Sequence, residues 1–471
     1  MSLEDSLYPL LRLYEAAPQP VKTLAGRAYR ALPASLRYGK AYARFVNEAS
    51  ASEGWSPDDI GRYQLAELRK TLASANLAPW YRERFAAAGV DPRRFESIDQ
   101  LADYPLLTKR DLIEHRSSLA NPSLPSSLRL PITTGGSSGI PVGFDLHKGI
   151  SRPKEQAYLE AQWKRRGWMP GERTAVIRGG VTSSRADGRI ASFDATRNWL
   201  ILSSYHLTLD RLPDYVSALN RFRPAHLHAY PSAALMLARG LQQTGLTLDF
   251  HFVSVLCGSE KLTPEDQAFL ESFFDARILH WYGHSERVVL AAQGRRSSHL
   301  YFWPGYGFVE FGDPDANGFR EVIGTSFHNR VMPLVRYRTG DLVQLATDPD
   351  AELPGIEIEK VIGRDHEFLI SRTGRQVSLT AVNMHDEVFD GLLAVQFHQP
   401  ERGLLTFRFQ PGNHWHSSRI DSIRDALNRK LGDDFSLTLE KVAEIEKTSG
   451  GKHSWLVSEL SQPSPVTASL S

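Results

Sequence analysis

The sequence is poor in cysteine, in long apolar runs and in net charge. Cys257 is the one cysteine in 471 residues. That excludes an intrachain disulfide and any multi-cysteine zinc or iron–sulfur site. No apolar run reaches the length of a membrane span. Lys and Arg number 55 against 54 Asp and Glu, a net +1, so no overall field recruits nucleic acid. The first residues, MSLEDSLYPLLRLYEAAPQP, carry two acids before a short apolar run and no cleavage pattern. The expectation is a protein of a reducing cytoplasm, with no membrane span and no nucleic-acid partner. What is present is ordinary for a globular protein: 41% hydrophobic and 23% charged residues, in a chain long enough for more than one domain.

One stretch stands out. Thr133-Thr134-Gly135-Gly136-Ser137-Ser138-Gly139-Ile140-Pro141 has no apolar side chain before Ile140. A strand ending, Leu128 to Ile132, precedes it, and Pro141 to Leu146 alternates like a strand behind it. The stretch therefore reads as a glycine-rich hairpin tip. Its N–H groups and hydroxyls converge as an anion site suited to phosphate. Three other readings compete. A Walker A loop would end in GK[ST] and open a helix, whereas Ile140-Pro141 follows Gly139. The G-x-S-x-G of a nucleophile elbow is formally met at Gly135–Gly139, with Ser137 as nucleophile, but that motif needs a helix behind it. A plain surface loop is the third.

The chain alternates in type along its length. Residues 1 to about 125 read as helices broken by prolines. Leu7, Leu10, Leu11, Leu13 and Tyr14 share one helix face that would pack on its own domain or meet a membrane or partner. A helical pattern runs from Gln64 to Arg84, and Thr108 with Asp111 signals a helix start. Beyond Ile150, strands near 174–177, 199–202, 225–230, 252–256 and 277–282 alternate with helices near 150–166, 212–222, 231–240 and 264–274. That pattern implies an α/β sheet with helices on its faces, with ligands at the carboxyl ends of strands. Strands and tight turns follow to about Gln344. The expected division is a large N-terminal domain, 1–362, a small α+β C-terminal domain, 363–460, and a disordered tail, 461–471.

Several stretches could carry chemistry. Gly258-Ser259-Glu260 follows a strand, though a helix cap through Thr263 and Glu265 accounts for much of it. Tyr282-Gly283-His284-Ser285-Glu286 is a strand-end turn with a carboxylate. His280 and His284 are spaced i,i+4, but Gly283 and the strand pattern refuse the helix a metal pair needs. His226/His228 and His414/His416 read as core or exposed histidines. In Arg336-Tyr337-Arg338-Thr339-Gly340-Asp341, the arginines would serve as ion-pair partners or ligands. Gly363-Arg364 marks a boundary, and Gly450-Gly451-Lys452 lies near the chain end, with Lys447 a nearby rival.

In their order along the chain, these pieces resemble the adenylate-forming superfamily of acyl-CoA synthetases. MPLVRYRTGD and YPLLTKRDL resemble the phenylacetate–CoA ligase family in particular, including its polysaccharide-biosynthesis branch. The resemblance spans Thr133 to Lys452, and the first hundred residues carry little of it. It implies a large N-terminal adenylation domain and a small C-terminal domain that swings about a hinge at Arg364. Thr133 to Gly139 would hold ATP phosphates. Gly258, Ser259 and Glu260 would flank adenine, Tyr282 would stack on it, Gly283 would permit its approach and Ser285 would meet phosphate. Glu286 would hold Mg²⁺ and Asp341 the ribose. Arg364 would contact ribose or phosphate, and Lys452 would be the catalytic lysine. Tyr230, Pro231 and Ser232 lie where the acyl pocket would be, and Arg178 would pair with a polar acid or sit at the surface. The usual hinge aspartate is replaced by His366. The implied reaction activates a carboxylic acid to acyl-AMP and passes the acyl group to a nucleophile. That nucleophile is coenzyme A by family default; an amine, as on an amino sugar, is the alternative. A serine hydrolase built on Ser137 and a catalytically dead scaffold are the readings of another class. Acid, acceptor and oligomeric state are left open.

Overall fold

The computed structural model describes residues 17–133, 142–179, 190–204, 206–315, 318–346, 353–362, 368–382, 389, 392–411, 415–443, 445 and 455–460. The chain divides into two compact units. One is Met1–Pro131 with Phe144–Gly363, and the other is Ile132–Gly143 with Arg364–Ser471. Most of the phosphate-loop stretch (134–141), the hinge region 363–367, the lysine segment 446–454, the apolar face expected near Leu7–Tyr14 and the tail from 461 lie outside the described residues.

The larger unit starts with helices α1 (Gln19–Ala31), α2 (Ala34–Arg37), α3 (Gly39–Ser52), α4 (Pro57–Ala75), α5 (Pro79–Ala87) and α6 (Lys109–Leu119). Their starts are written in the sequence. Ser56 caps α4 and Thr108 caps α6, each in a capping box with an aspartate three residues on. The single helical pattern expected from Gln64 to Arg84 is two helices. α4 ends at Ala75 and α5 restarts at Pro79, because proline has no N–H to continue the ladder.

Strands β1 (Arg129–Thr133) and β2 (Gly143–His147) pair with each other on either side of the glycine-rich stretch. Helix α7 (Ser151–Lys164) follows, then β3 (Thr174–Ile177), β4 (Ala191–Asp194), β5 (Trp199–Leu202), α8 (Leu212–Phe222), β6 (His226–Ala229), α9 (Pro231–Thr244), β7 (Ser254–Gly258), α10 (Pro264–Phe274) and β8 (Arg277–Gly283). Next come β9 (Leu290–Gln293), β10 (Leu300–Phe302), β11 (Gly307–Phe311), β12 (Arg320–Ser326), β13 (Tyr337–Leu345) and β14 (Glu357–Ile362). Among the described residues β3 to β14 form one sheet in the order β11-β12-β13-β14-β10-β9-β8-β7-β6-β3-β5-β4. The centre, β5-β3-β6-β7-β8, is parallel, as right-handed crossovers through α8, α9 and α10 require. Both wings are antiparallel. Of the central strands, β3, β6 and β7 are buried along their whole length, so no polar face alternates with an apolar one in them, whereas β5 alternates between half-buried and buried residues.

An aromatic cluster packs between this sheet and α3 and α7: Tyr42, Phe45, Tyr158, Trp163, Trp168, Trp281, Trp303 and Tyr306. Each such ring contributes about 2 kcal/mol by burial. Lys154 of α7 is buried beside it, its ammonium 3.9 Å from the Tyr306 ring centroid. Its Nζ donates to the carbonyls of Tyr306 and Phe327. Burial pushes this lysine down to about 7. Between pH about 7 and the unfolded value of about 10.4, unfolding takes up one proton, so stability rises with pH by about 1.4 kcal/mol per unit. Lys154→Met removes that slope. The variant's stability relative to wild type should therefore fall by about 2–3 kcal/mol between pH 7 and 9, read from denaturant unfolding of the larger unit. Parallel profiles would refute it.

The smaller unit holds a hairpin, β15 (Phe368–Ile370) with β16 (Gln376–Ser378), then α11 (Leu379–Val382), β17 (Leu392–Gln399), β18 (Leu404–Pro411), α12 (Ile420–Leu431), β19 (Ser436–Lys441) and β20 (Leu456–Ser458). Its sheet runs β19-β18-β17-β20. Helix α12 buries Ile423, Ala426, Leu427 and Leu431, the i, i+3, i+4 stripe of an amphipathic helix. No helix among the described residues is long and apolar enough to cross a membrane.

Candidate active site

The parallel strands of the larger unit end side by side, and the singled-out residues lie at those ends. Arg178 follows β3, Tyr230-Pro231-Ser232 follows β6, Gly258-Ser259-Glu260 follows β7, and Tyr282-Gly283 closes β8. Carboxyl ends of parallel strands are where such sheets bind ligands, since helix N-termini and loops converge there.

The β7 turn is tightly built. Gly258 pairs with Trp281 across the strands. A Cβ on Gly258 would lie 2.2 Å from the Trp281 indole, so only glycine fits. Ser259 takes φ 72°, a left-handed conformation that a serine pays for in strain. The Glu260 carboxylate accepts the backbone N–H of Ser232 at 3.0 Å. It thereby caps the positive end of α9 and ties the β7 turn to the stretch after β6. Its carbonyl meets His280 Nε2 at 3.0 Å. Thr263 caps α10 through Asp266 rather than Glu265.

At the end of β8, the Tyr282 hydroxyl donates to Asp341 Oδ2 at 2.7 Å. Burial, with Asp341 beside it, holds this phenol well above its usual range, so it stays protonated. Counted along a flat sheet, β8 and β13 are four strands apart, roughly 19 Å. A 2.7 Å contact between them means the antiparallel wing curls back over the parallel ends. The same curl brings the Tyr337 hydroxyl to Glu286 Oε1 at 2.8 Å. Asp341 is aimed by a β-bulge, where β13 shifts register against β12. Gly340 has φ 78°, and Asp341 N donates to Thr339 Oγ1.

Glu286 is buried and its Oε2 lies 3.4 Å from His284 Nδ1. Burial alone would raise its pKa. The neighbouring His284, with Lys109 further off, outweighs that and holds the carboxyl at about 2. Glu286 is therefore a permanent anion. Neither His284 nitrogen makes a hydrogen bond among the described residues. No group of three or more His, Cys, Asp or Glu able to hold a metal occurs there either. A cation at Glu286 would take one protein carboxylate and draw its other ligands from phosphate and water. That is how Mg²⁺ is commonly held, so the residues present fit it.

The surroundings of the β3 and β6 ends were only half legible. Arg178 is half-buried and bonded on both sides of the strand ends. Its two guanidinium nitrogens donate to His228 Nε2 at 2.7 Å and Ser259 Oγ at 2.5 Å. Its plane lies 4.7 Å from the Tyr230 ring centroid. Burial, with Arg178 beside it, keeps His228 well below its usual pKa, so the imidazole is neutral and can accept. His226, one turn of the pleat away, is bonded to Ser254 and Glu172. Both are core histidines. Cys257 lies between them and the turn, and burial pushes its thiol up to about 12, too high for a nucleophile. Two other arginines are structural. Arg336 pairs with Glu310 and with the carbonyls of Ala102 and Tyr104, and Arg338 pairs with Glu321.

Pro231 and Ser232 open α9, Gly283 closes β8 with Ser285 two residues beyond it, and Thr133 is buried at the end of β1. Thr134, Gly135, Gly136, Ser137, Ser138, Gly139, Arg364 and Lys452 lie outside the described residues.

The fold is that of the adenylate-forming class of enzymes. No family model matches the chain. It is 24% identical over 376 residues to the Protein CapK of Staphylococcus aureus, covering 77% of this chain and 81% of that protein. It is 26% identical over 338 residues to the phenylacetate-coenzyme A ligase of Pseudomonas putida, covering 67% and 73%. The solved 2-hydroxyisobutyryl-CoA ligase bound to 2-HIB-AMP and CoA superposes with TM-score 0.57 over 87% of this chain and 92% of that one. At 17% identity this last likeness concerns the fold. Within the class, the chain is phenylacetate–CoA ligase-like.

Proposed function

We propose that this chain activates a carboxylic acid with ATP and passes the acyl group to coenzyme A. The observation that carries the reading is the hydrogen bond from Tyr282 to Asp341, beside that from Tyr337 to Glu286. Two segments far apart in sequence, the end of β8 with the residues after it and the irregular start of β13, thereby offer an aromatic ring, a carboxylate suited to ribose hydroxyls and a fixed anion in one place. The relatives named as phenylacetate-coenzyme A ligases supply the acid and thiol chemistry.

In the first half-reaction an acid oxygen attacks the α-phosphorus and pyrophosphate leaves. In the second, the coenzyme A sulfur attacks the acyl carbon and AMP leaves. Gly258, Ser259, Glu260, Tyr282 and Gly283 would hold adenine, Asp341 the ribose, and Ser285 with the Thr133–Gly139 stretch the phosphates. Glu286 would hold Mg²⁺, which supplies charge neutralisation on the phosphates. Arg364 and Lys452 would act from the domain we assign to 363–460, the adenylation domain being 1–362. The protein need form no covalent bond, so catalysis is positioning and electrostatics. Tyr230, Pro231 and Ser232 would line the acid's pocket. Arg178 is held there by two neutral acceptors, His228 and Ser259. We therefore favour an acid bearing a polar or anionic group beyond its carboxylate. No observation favours an amine acceptor. A hydrolase built on Ser137 is disfavoured because strand β2, not a helix, follows the stretch.

The test is acid-dependent exchange of labelled pyrophosphate into ATP across a panel of acids, with thioester formation on adding coenzyme A. Acids with a second polar group should lead the panel. Lys452→Ala should depress exchange. No exchange with any acid, or exchange untouched by that substitution, would count against the corresponding assignment.

A further inference from the structure

Helix α1 turns its apolar stripe outward. Val21, Leu24 and Ala28 share one helix face, yet Val21 is 54% exposed and Leu24 73%. The opposite face is held by Gly26, which packs so closely that a Cβ there would lie 2.6 Å from the Ala195 side chain. Arg30 stands one turn further along the Gly26 face. The same contact therefore carries its side chain inward, where its Cδ comes within 4.0 Å of the place a Cβ of Gly171 would take.

Arg30, Arg37 of α2 and Trp199 of β5 line one cavity. It lies where β3 and β5 begin, since Gly171 and Arg197 also border it and the two strands run parallel from Thr174 and Trp199. The candidate active site gathers at the other ends of the parallel strands. Arg30 Nη1, Arg37 Nε and Trp199 Nε1 are all buried, and none of them makes a hydrogen bond among the described residues. An unpaired buried donor is costly, most of all a charged one, so three around one space point to a ligand that accepts.

The chain's own carboxylate in the cavity is already engaged. Glu160 accepts the Tyr42 hydroxyl at Oε2 and the Gln156 amide at Oε1. Arg197 faces Asp194 at 3.8 Å. Setting Glu160 against one arginine and Asp194 against Arg197 leaves one cation in excess. Water accepts from at most two donors and brings no charge. A phosphate group presents acceptor oxygens in tetrahedral directions, with the charge that planar guanidinium forks bind best. The cavity measures about 370 Å³ with its open mouth, room for that group with a small remainder.

We propose that this cavity is a binding site for a phosphate group, separate from the candidate active site. Arg30 and Arg37 take the charge, and Trp199 donates from its indole. The ligand thereby ties α1 and α2 to β5. The site rests on no part of the reading of the active site.

The experiment is calorimetric titration of the full chain with inorganic phosphate and, separately, with glycerol 3-phosphate, against chloride at matched ionic strength. A saturable site is expected. Arg30→Gln and Arg37→Gln should each weaken it at least about tenfold, since each removes a charge-assisted bond. Trp199→Phe, which removes a neutral donor, should weaken it about fivefold. All three should leave the affinity for ATP within about twofold, because the sites are distant. Tighter binding of glycerol 3-phosphate assigns the cavity to an organic phosphate, and equal or weaker binding assigns it to the free ion. No saturable binding of either compound overturns the proposal. So does phosphate binding that survives Arg30→Gln and Arg37→Gln together, which would place it at the glycine-rich stretch. Limited trypsin digestion of the unaltered chain gives a readout that no misfolded variant can confuse. Phosphate at about ten times its Kd should slow cleavage within α1 and α2 by about tenfold relative to chloride. Equal cleavage rates also overturn the proposal.

Discussion

Glu286→Gln is expected to lower acyl-AMP formation by on the order of 10²–10³-fold while leaving the fold intact. The substitution keeps the side chain's length and its acceptance of the Tyr337 hydroxyl. It removes only the charge. In the native site that charge is bought at the expense of burying a carboxylate, and His284 and Lys109 hold it ionised down to about pH 2. A buried anion is poorly explained as scaffolding, because a neutral amide would fill the place at lower desolvation cost. If Glu286 serves a cation bound with ATP, the variant should also need more Mg²⁺ to reach half its rate. Hydrolysis or thiolysis of pre-formed acyl-AMP, which needs no phosphate neutralisation, should change far less. Equal losses in both half-reactions, with an unchanged Mg²⁺ dependence, would make Glu286 a structural residue. Melting curves of the variant guard against misfolding as the cause.

Gly258→Ala should act through shape. The added methyl would overlap the Trp281 indole at 2.2 Å. That ring is 6% exposed and locked among Trp163, His228 and their neighbours, so it has no open direction in which to move. Overpacking of this kind costs about 1–3 kcal/mol. The strain is released partly into the Ser259–Glu260 turn, where the backbone is already left-handed at Ser259. Displacing that turn by about 1 Å would cost on the order of 10²-fold in kcat/KM for ATP. Trp281→Phe in the same chain makes room for the methyl, so the double variant should regain part of the lost stability, a coupling read from a double-mutant cycle. Additive effects of the two changes would show that Gly258 and Trp281 do not constrain each other.

Much of the local structure at the candidate site was legible because its parts are local. A strand that ends in glycine and a polar residue can be read from neighbours in sequence, as in Gly258-Ser259-Glu260 and Tyr282-Gly283. So can a capped helix start such as Thr108 with Asp111. The fixed boundaries of the central strands follow from short apolar runs between turn residues, and they lie within a few residues of expectation. The break at Pro79 was also in the sequence, yet the periodicity on either side masked it. β4 gave no signal at all. Ala191 to Asp194 is short and only half-buried, and it is a strand because β5 offers it an edge to pair with.

What the sequence by itself determined is the alternation of strands and helices and the identity of the turn residues, since both depend on neighbours within a few positions. Tertiary structure decided which of those residues meet. The curl that joins Tyr282 to Asp341 and Tyr337 to the buried Glu286, and the bonds that hold Arg178 to His228 and Ser259, arise from contacts between distant segments. So does the outward turn of the apolar stripe on α1. Its spacing alone would have put Leu24 in the core, and only the close fit of Gly26 against Ala195 sends it to water. Local preference sets what each element is, whereas steric fit between elements sets which way it faces.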